Sequence, residues 1–136
     1  MKVLVTAGST IIPIDKVRVI SNIFHGKTGT NIAGYFASQG DDVYLLTSNP
    51  GLVARMVPSS PILSVFPYRT YDELAELMQT LIGGSDFDVI IHSAAVSDYY
   101  VSGVFVKDGA GGLQAVGQDA KISSAHKSLF LEMKPT

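Results

Sequence analysis

The stretch Lys2-Val3-Leu4-Val5-Thr6-Ala7, followed by Gly8-Ser9-Thr10, decides the fold. A short apolar run that contains two valines and ends in a glycine turn predicts a buried strand. Working outward from it, similar runs recur at Asp42–Thr47, at Ile62–Phe66 and at Asp88–His92. The last of these runs is apolar through its centre, which predicts a strand buried on both faces.

Helical patterns separate these strands. Residues 26–39 carry apolar side chains on one face, and Gly40 is a natural C-terminal cap. Thr70 and Glu73 have the spacing of a capping box and begin a second helix, which we expect to end at Gly83-Gly84. Strands that alternate with helices predict a parallel sheet with right-handed crossovers. The fold class is therefore α/β: a Rossmann-like open parallel sheet with flanking helices.

The last third of the chain has a different pattern. Residues 101–120 contain five glycines and show weak periodicity, which predicts a loop or mobile flap. Residues 121–133 predict a C-terminal β-hairpin outside the main sheet, with strands at 121–124 and 128–132. We expect one domain over 1–136: a core at 1–100, the flap, and the hairpin as a dimer contact. Between the first strand and the first helix, residues 14–22 predict a loop with a helical turn.

Composition excludes several classes of protein. The chain has 136 residues, 46% of them apolar, and a formal net charge of −2, so it is not disordered and no basic stripe favours nucleic acid. It contains no cysteine, which excludes disulfides and thiolate chemistry. No segment approaches the roughly 18 apolar residues of a membrane helix, and the start of the chain does not read as a signal peptide. We expect a cytoplasmic protein that binds no membrane.

In open α/β sheets, ligands bind beyond the carboxyl ends of the strands, where residues 7–10, 21–29 and 92–99 converge. Gly26-Lys27-Thr28-Gly29 opens a helix, so its free N–H groups and the helix dipole favour an anion. The alternative is a glycine-rich helix start that packs closely against the sheet. The segment fits neither a P-loop nor a dinucleotide fingerprint, because the required glycine spacings are absent.

Several single residues are candidates for chemistry, each with a plainer alternative. The amide of Asn22 can donate to an oxyanion or cap a loop. Asp98 can hold a ribose hydroxyl, a base edge or a hydrated Mg²⁺, or cap a helix. Lys121 can close over a polyphosphate, or be a surface lysine. His92 is a conceivable general base, although a satisfied histidine at a strand end is more common.

Two other groups are interpreted as structural or solvent-facing. Asp15 and Arg18 have the spacing of a structural salt bridge. His25 and His126 are expected in loops, and three histidines this dispersed form no zinc motif. We therefore predict no metal ligands in the chain.

Four ordered segments carry a resemblance that covers nearly the whole chain: VLVTAGST with PIDKVRVISN, HGKTG, HSAAVSDYY, and AKISS with LFLEM. Together they resemble the phosphopantothenoylcysteine synthetase (phosphopantothenate–cysteine ligase) family, in its stand-alone bacterial form. That family activates the carboxylate of 4′-phosphopantothenate with CTP, in coenzyme A biosynthesis. The amine of cysteine then attacks the acyl-cytidylate.

The resemblance implies roles for particular residues. Asn22 matches the asparagine that stabilises the intermediate, and Lys121 matches the flap lysine that acts on the nucleotide. The remaining matches fall into two sets, near the phosphates (Gly8, Ser9, Gly26, Lys27 and Gly29) and along the nucleotide (His92, Ser93, Ala94 and Asp98). The resemblance also implies Mg²⁺ on the polyphosphate and a homodimer.

The sequence departs from the family pattern in four places. In one of them, Ile11 and Ile12 stand where an acidic residue is common before the Pro-Ile-Asp stretch. Ser9 replaces a second glycine, and Ile23-Phe24-His25 replaces a loop that carries two serines. The family also continues beyond the segment that matches LFLEM. We therefore expect either the N-terminal part of a ligase, with a second chain supplying the rest, or a non-catalytic nucleotide- or phosphate-binding or assembly module. A nicotinamide-dependent reductase is disfavoured, because its fingerprint is missing.

Overall fold

A computed structural model describes all 136 residues. Nine strands and three helices follow one another in this order: β1 (Lys2–Ala7), β2 (Ile11–Pro13), β3 (Val19–Ser21), α1 (Lys27–Ser38), β4 (Asp42–Thr47), α2 (Pro50–Met56), β5 (Leu63–Pro67), α3 (Tyr71–Gly84), β6 (Val89–His92), β7 (Tyr99–Lys107), β8 (Leu113–Val116) and β9 (Phe130–Pro135). The chain divides into two compact units, residues 1–10 with 22–96 and residues 11–21 with 97–136. The boundary at residue 100 that we expected from the sequence therefore falls a few residues late, and residues 11–21 belong with the later part of the chain.

The first unit is built on a parallel sheet with strand order β5-β4-β1-β6. Val3 of β1 pairs with Val43 of β4 on one side and with Val89 of β6 on the other. This sheet confirms the predicted α/β, Rossmann-like class. The centre of β1 is fully buried because it has a strand on each side and helices over both faces.

Alternate residues of β1 supply two separate cores. Val3, Val5 and Ala7 face the apolar side chains of α1 and α2. Leu4 faces the other way and packs in a cluster with Leu74 of α3. The capping box predicted at the start of α3 is present, with the Thr70 hydroxyl accepting from the Glu73 N–H and the Glu73 carboxylate accepting from the Thr70 N–H.

Two details of the first unit differ from the predictions. The triplet Asn49-Pro50-Gly51 predicts a turn from the sequence alone. It is instead the start of α2, because Asn49 caps the helix and Pro50 occupies its first turn. β6 is an edge strand, so it is not buried on both faces, and Ile90 remains 46% exposed. The predicted end of α3 at Gly83-Gly84 is confirmed, since Gly84 is its last residue.

The second unit contains a β2–β3 hairpin and an antiparallel sheet of order β8-β7-β9. The expected C-terminal β-structure outside the main sheet is present, but its strands differ from the predicted ones. Residues 99–107 and 113–116 form paired strands where a flap was expected, and 121–124 form no strand. The strand expected at 128–132 overlaps β9. A bulge between Val101 and Gly103 shifts the inward-facing positions of β7 to Val101, Val104 and Val106. That shift breaks the period of two on which strand prediction depends.

The β2–β3 hairpin also replaces the helical turn that we predicted after Pro13. Strands of three residues are too short to show an alternating pattern. None of the three helices is long and apolar enough to cross a membrane.

Candidate functional site

A cleft of about 570 Å³ opens in the first unit at the carboxyl ends of β1 and β6. Its walls are the glycine turn after β1, the start of α1, and the segment after β6. The lining residues are Gly8, Ile23, Phe24, His25, Gly26, Lys27, Thr28, Gly29, Leu52, Ser93, Ala94 and Ala95. The structure thus brings six of the predicted site residues into one cleft: Gly8, Gly26, Lys27, Gly29, Ser93 and Ala94.

The first turn of α1 faces the cleft without a cap. Gly26 is the N-cap residue and provides no side chain, and no acidic residue lies in the first turn. The first helical bond runs from the Thr30 N–H to the Gly26 carbonyl oxygen at 3.0 Å, so the N–H groups of Lys27, Thr28 and Gly29 precede it. Three orphan donors, the positive end of the helix dipole and the exposed Lys27 favour an anion here.

The glycines of this turn are also required by packing, which was the alternative interpretation. A Cβ on Gly29 would lie 2.6 Å from the Ala7 Cβ and 2.8 Å from the Thr6 carbonyl oxygen. A Cβ on Gly26 would lie 2.8 Å from the Gly8 nitrogen, and Gly26 has a φ of 86°. These contacts support the packing interpretation, because the missing side chains let α1 approach β1. They leave the anion-binding interpretation as a prediction.

A buried hydrogen-bond network supports the floor of the cleft. The Tyr68 hydroxyl donates to the Ala7 carbonyl oxygen at 2.8 Å, and the Ser9 N–H donates to the Ser48 hydroxyl at 2.9 Å. Burial raises the pKa of Tyr68 to about 12, and a hydrogen bond with Ser48 opposes part of that rise. Ser9 itself is buried and does not line the cleft. The structure thus gives the Ser9 N–H a part in holding the turn in place.

Thr6 organises the segment after β6, and we did not predict it. Its hydroxyl oxygen accepts from the N–H groups of Ser93 and Ala94 at 3.0 and 3.1 Å and lies 2.8 Å from Nδ1 of His92. Because two donors occupy the oxygen's lone pairs, its hydrogen must go to Nδ1. His92 is therefore the tautomer protonated at Nε2. A lone threonine within an otherwise apolar strand was the available signal.

The same contacts limit what the β6 side of the cleft can donate. The N–H groups of Ser93 and Ala94 are held by Thr6, and the Ala95 N–H donates to the Gly8 carbonyl oxygen at 2.7 Å. The backbone N–H groups that remain to bind a ligand in the cleft are thus those of the first turn of α1. His92 lines a separate cleft of about 260 Å³ beside α3 and not this one.

Asn22 lies at the edge of the cleft. Its Nδ2 is 3.5 Å from the carbonyl oxygen of Ala95, a cleft residue, and the side chain is exposed. The neighbouring Ile23 and Phe24 are 83% and 64% exposed and form an apolar lip. A second asparagine, Asn49, caps α2 by accepting from the Leu52 N–H. Its Nδ2 donates to the His25 carbonyl oxygen at 3.3 Å, so it connects α2 to the residue that follows the lip.

Two predicted site residues belong to the second unit. Asp98 is exposed, and its carbonyl oxygen accepts from the Thr136 N–H at 2.9 Å. Lys121 is exposed and immediately precedes the buried Ile122. No group of three or more acidic or histidine side chains could hold a metal, and no carboxylate lines the cleft. The residues present therefore do not fit a protein-held Mg²⁺ there.

Comparisons with known proteins agree with this geometry. Residues 1–107 match the family model described as the DNA/pantothenate metabolism flavoprotein C-terminal domain. The chain is 34% identical over 99% of its length to the coenzyme A biosynthesis bifunctional protein CoaBC of Thermococcus kodakarensis, and 36% identical over 74% to that of Methanocaldococcus jannaschii. It spans only 28% and 23% of those two relatives.

A solved structure matches the whole chain. The DNA/pantothenate metabolism flavoprotein from Streptococcus pneumoniae superposes with a TM-score of 0.81 and 33% identity, over 100% of this chain and 60% of that one. The family match, the relatives and this structure together confirm the resemblance seen in the sequence. The chain belongs to the family of the DNA/pantothenate metabolism flavoprotein C-terminal domain, the phosphopantothenoylcysteine synthetase part of CoaBC proteins of coenzyme A biosynthesis.

Proposed function

We propose that this chain catalyses, as a ligase or as the N-terminal part of one, the joining of 4′-phosphopantothenate to cysteine. The carboxylate attacks the α-phosphorus of CTP and pyrophosphate leaves; the cysteine amine then attacks the acyl-cytidylate, forming the amide and releasing CMP. The observation that carries the proposal is the uncapped first turn of α1, which opens into a cleft lined by residues of the family motifs.

The α1 side of the cleft supplies the binding of negative charge. The three free N–H groups of Lys27, Thr28 and Gly29 donate to phosphate oxygens, and Lys27 adds a positive charge. The cleft offers no carboxylate, so a Mg²⁺ ion, which the resemblance implies, would be supplied with the nucleotide and would take no carboxylate ligand from this cleft.

Asn22 is the proposed donor to the acyl intermediate. Its amide lies at the cleft edge, where Nδ2 donates to the Ala95 carbonyl oxygen at 3.5 Å. An uncharged amide donor stabilises a developing oxyanion without changing its own protonation state.

The second unit supplies Lys121 and Asp98, whose proposed roles rest on the resemblance. Lys121 is exposed and binds nucleotide phosphates as a point charge. Asp98 is exposed and accepts from hydroxyls of the nucleotide. Ser93, Ala94 and His92 complete the proposed set, together with the buried Ser9, which acts through the turn.

We also propose a homodimer. Five large apolar or aromatic side chains are exposed on the antiparallel sheet of the second unit: Tyr99, Tyr100, Leu113, Phe130 and Met133. Sedimentation equilibrium is expected to give twice the 14.5 kDa of one chain. A monomer over the whole concentration range would overturn the dimer and leave the ligase proposal standing.

The direct test of function is pyrophosphate release with CTP, 4′-phosphopantothenate and cysteine. Omitting cysteine is expected to leave one pyrophosphate per active site, because the acyl-cytidylate then accumulates. Asn22→Ala is expected to lower kcat about 100-fold or more. Asn31→Ala, at an exposed asparagine of α1, is the matched control and should leave kcat unchanged.

The same reagents separate the alternatives. If the chain releases no pyrophosphate, including when mixed with a chain that carries the family's C-terminal portion, it is not a ligase. Calorimetric heat with CTP or 4′-phosphopantothenate would then identify a binding module. Absence of heat with both would leave an assembly role.

A further inference from the structure

Asp15 is a fully buried carboxylate at the turn of the β2–β3 hairpin. Its Oδ1 accepts from the N–H groups of Val17 and Arg18 at 2.9 and 2.8 Å. Its Oδ2 accepts from Nε and Nη2 of Arg18 at 3.0 and 2.6 Å, and from the Ile122 N–H at 2.9 Å. The carboxylate thus has five hydrogen bonds, and one of them reaches a residue more than a hundred positions away.

Arg18 completes the contact with that distant residue. Its Nη2 donates to the Ile122 carbonyl oxygen at 2.7 Å, so the Asp15–Arg18 pair satisfies both backbone groups of Ile122. The ion pair thus makes the two backbone hydrogen bonds to Ile122 that a neighbouring β-strand would otherwise make. The Ile122 side chain is buried with Val101 and Val104, and Gln118 donates from Nε2 to the Ile14 carbonyl oxygen at 2.9 Å.

The segment that these contacts hold has little other support. Residues 117–129 contain no helix or strand, and a long backbone hydrogen bond within them runs from the His126 N–H to the Ser123 carbonyl oxygen at 3.4 Å. Lys121 is in this segment, next to Ile122, and its side chain is exposed. A backbone fixed at Ile122 limits where the Lys121 ammonium can go, while it leaves the ammonium itself free to bind.

We propose that the Asp15–Arg18 pair is a latch that positions Lys121 by fixing the backbone of Ile122. The role of the lysine towards a nucleotide rests on the proposed function; the latch itself does not. Asp15 and Arg18 are thus positioning residues for Lys121. In a purely structural ion pair, loss of either partner would lower stability without acting through Lys121.

The latch is tested first without any ligand, by amide hydrogen exchange. In Asp15→Asn, exchange at residues 118–123 is expected to accelerate about tenfold or more, because the charge-assisted bonds to Arg18 and Ile122 are lost. Exchange in β1, in the other unit, should stay unchanged. Asp119→Asn is the matched control, since Asp119 is an exposed carboxylate of the same segment.

Arg18→Lys is the second variant, for the case in which Asp15→Asn does not fold. It keeps the positive charge, but a single ammonium cannot reproduce the planar fork that reaches Asp15 and Ile122 together. It should also accelerate exchange at 118–123. Unchanged exchange there in a folded variant would overturn the latch.

A double-mutant cycle with CTP then tests positioning. Asp15→Asn and Lys121→Ala are each expected to weaken CTP binding, and the double variant should bind no more weakly than Lys121→Ala alone. Losses that simply add would overturn the proposal, because Asp15 would then act independently of Lys121. If the native chain does not bind CTP, including when mixed with a chain that carries the family's C-terminal portion, the proposed function fails. Exchange at 118–123 still decides the latch: acceleration supports it and no change overturns it.

Discussion

At the scale of single residues, Gly29 shows how closely the site depends on one missing methyl group. An alanine there would place its Cβ 2.6 Å from the Ala7 Cβ and 2.8 Å from backbone oxygen. Backbone cannot move as a side chain can, so we expect Gly29→Ala to lower the free energy of unfolding by about 3 kcal/mol. Urea unfolding followed by circular dichroism measures this change in the free energy of unfolding.

Gly83→Ala is the control for that substitution. Gly83 is also helical, and nothing lies within 4 Å of the Cβ that it would gain. Its expected effect is a stabilisation of up to about 1 kcal/mol, from helix propensity and reduced freedom of the unfolded chain. Equal effects of the two alanines would show that packing against β1 is not what requires Gly29.

Thr6 gives a second prediction at this scale. Thr6→Val keeps the shape but removes the oxygen, so the Ala94 N–H loses its acceptor, whereas Ser93 retains the Thr6 carbonyl oxygen at 3.2 Å. Because this contact is only partly buried, we expect a loss of about 1 kcal/mol of unfolding free energy. Thr6→Ser keeps the hydroxyl and should lose less.

The ring of His92 tests the hydrogen bond between the Thr6 hydroxyl and Nδ1 of His92 directly. Nitrogen chemical shifts of the native protein are expected to show the tautomer protonated at Nε2, because the Thr6 hydroxyl donates to Nδ1. In Thr6→Val both tautomers should be present, and in Thr6→Ser the native one. A native ring protonated at Nδ1 would contradict the assignment.

At the scale of elements, what the sequence could predict depended on whether a pattern was local. β1, α1 and the Thr70–Glu73 capping box rest on apolar runs and a cap within a few residues, and all three are confirmed. β7 was missed because the bulge at Val101–Gly103 arises only when β9 pairs with it. The exposure of β6 was missed because β6 lies at the edge of the sheet. The order of strands in a sheet cannot be read from the residues of one strand.

The candidate site divides in the same way. The motif segments around Gly8, Gly26 and Ser93 could be predicted to meet, because they follow the strand ends and open a helix. The part played by Thr6 could not, because it depends on two strands 86 to 88 residues apart in the chain being neighbours.

The caps of two helices give the element-scale prediction. Asn49→Ala and Thr70→Ala each remove a side-chain N-cap and should each cost about 1 kcal/mol of unfolding free energy. Only Asn49 also bonds the His25 carbonyl oxygen. Amide exchange at residues 23–26 is therefore expected to accelerate in Asn49→Ala and to stay native in Thr70→Ala. Acceleration in both would mean that the lip responds to general destabilisation.

At the scale of the whole molecule, the two units are sensitive to opposite extremes of pH. In the first unit, burial raises the pKa of Tyr68 from 10 to about 12. The neutral phenol is thus favoured by folding, and its contribution to stability is complete below pH 10 and lost as the pH rises towards about 12. Ultraviolet titration of the tyrosines should show one late-titrating phenol, which is absent in Tyr68→Phe. An unchanged titration in that variant would contradict the prediction.

In the second unit the pKa shift has the opposite direction, so stability is lost towards acid. The Arg18 guanidinium and then the Ile122 N–H hold the pKa of Asp15 far below its ordinary value of 3.8. A lowered folded-state pKa stabilises above that ordinary value, and the stabilisation is lost as the pH falls below it. Native protein and Asp15→Asn should therefore differ in urea midpoint at neutral pH, and the difference should shrink as the pH falls below 3.8. Asp119→Asn should match the native protein throughout. A difference that stays constant into acid would mean that the charge of Asp15, and with it the ion pair to Arg18, contributes nothing to folding.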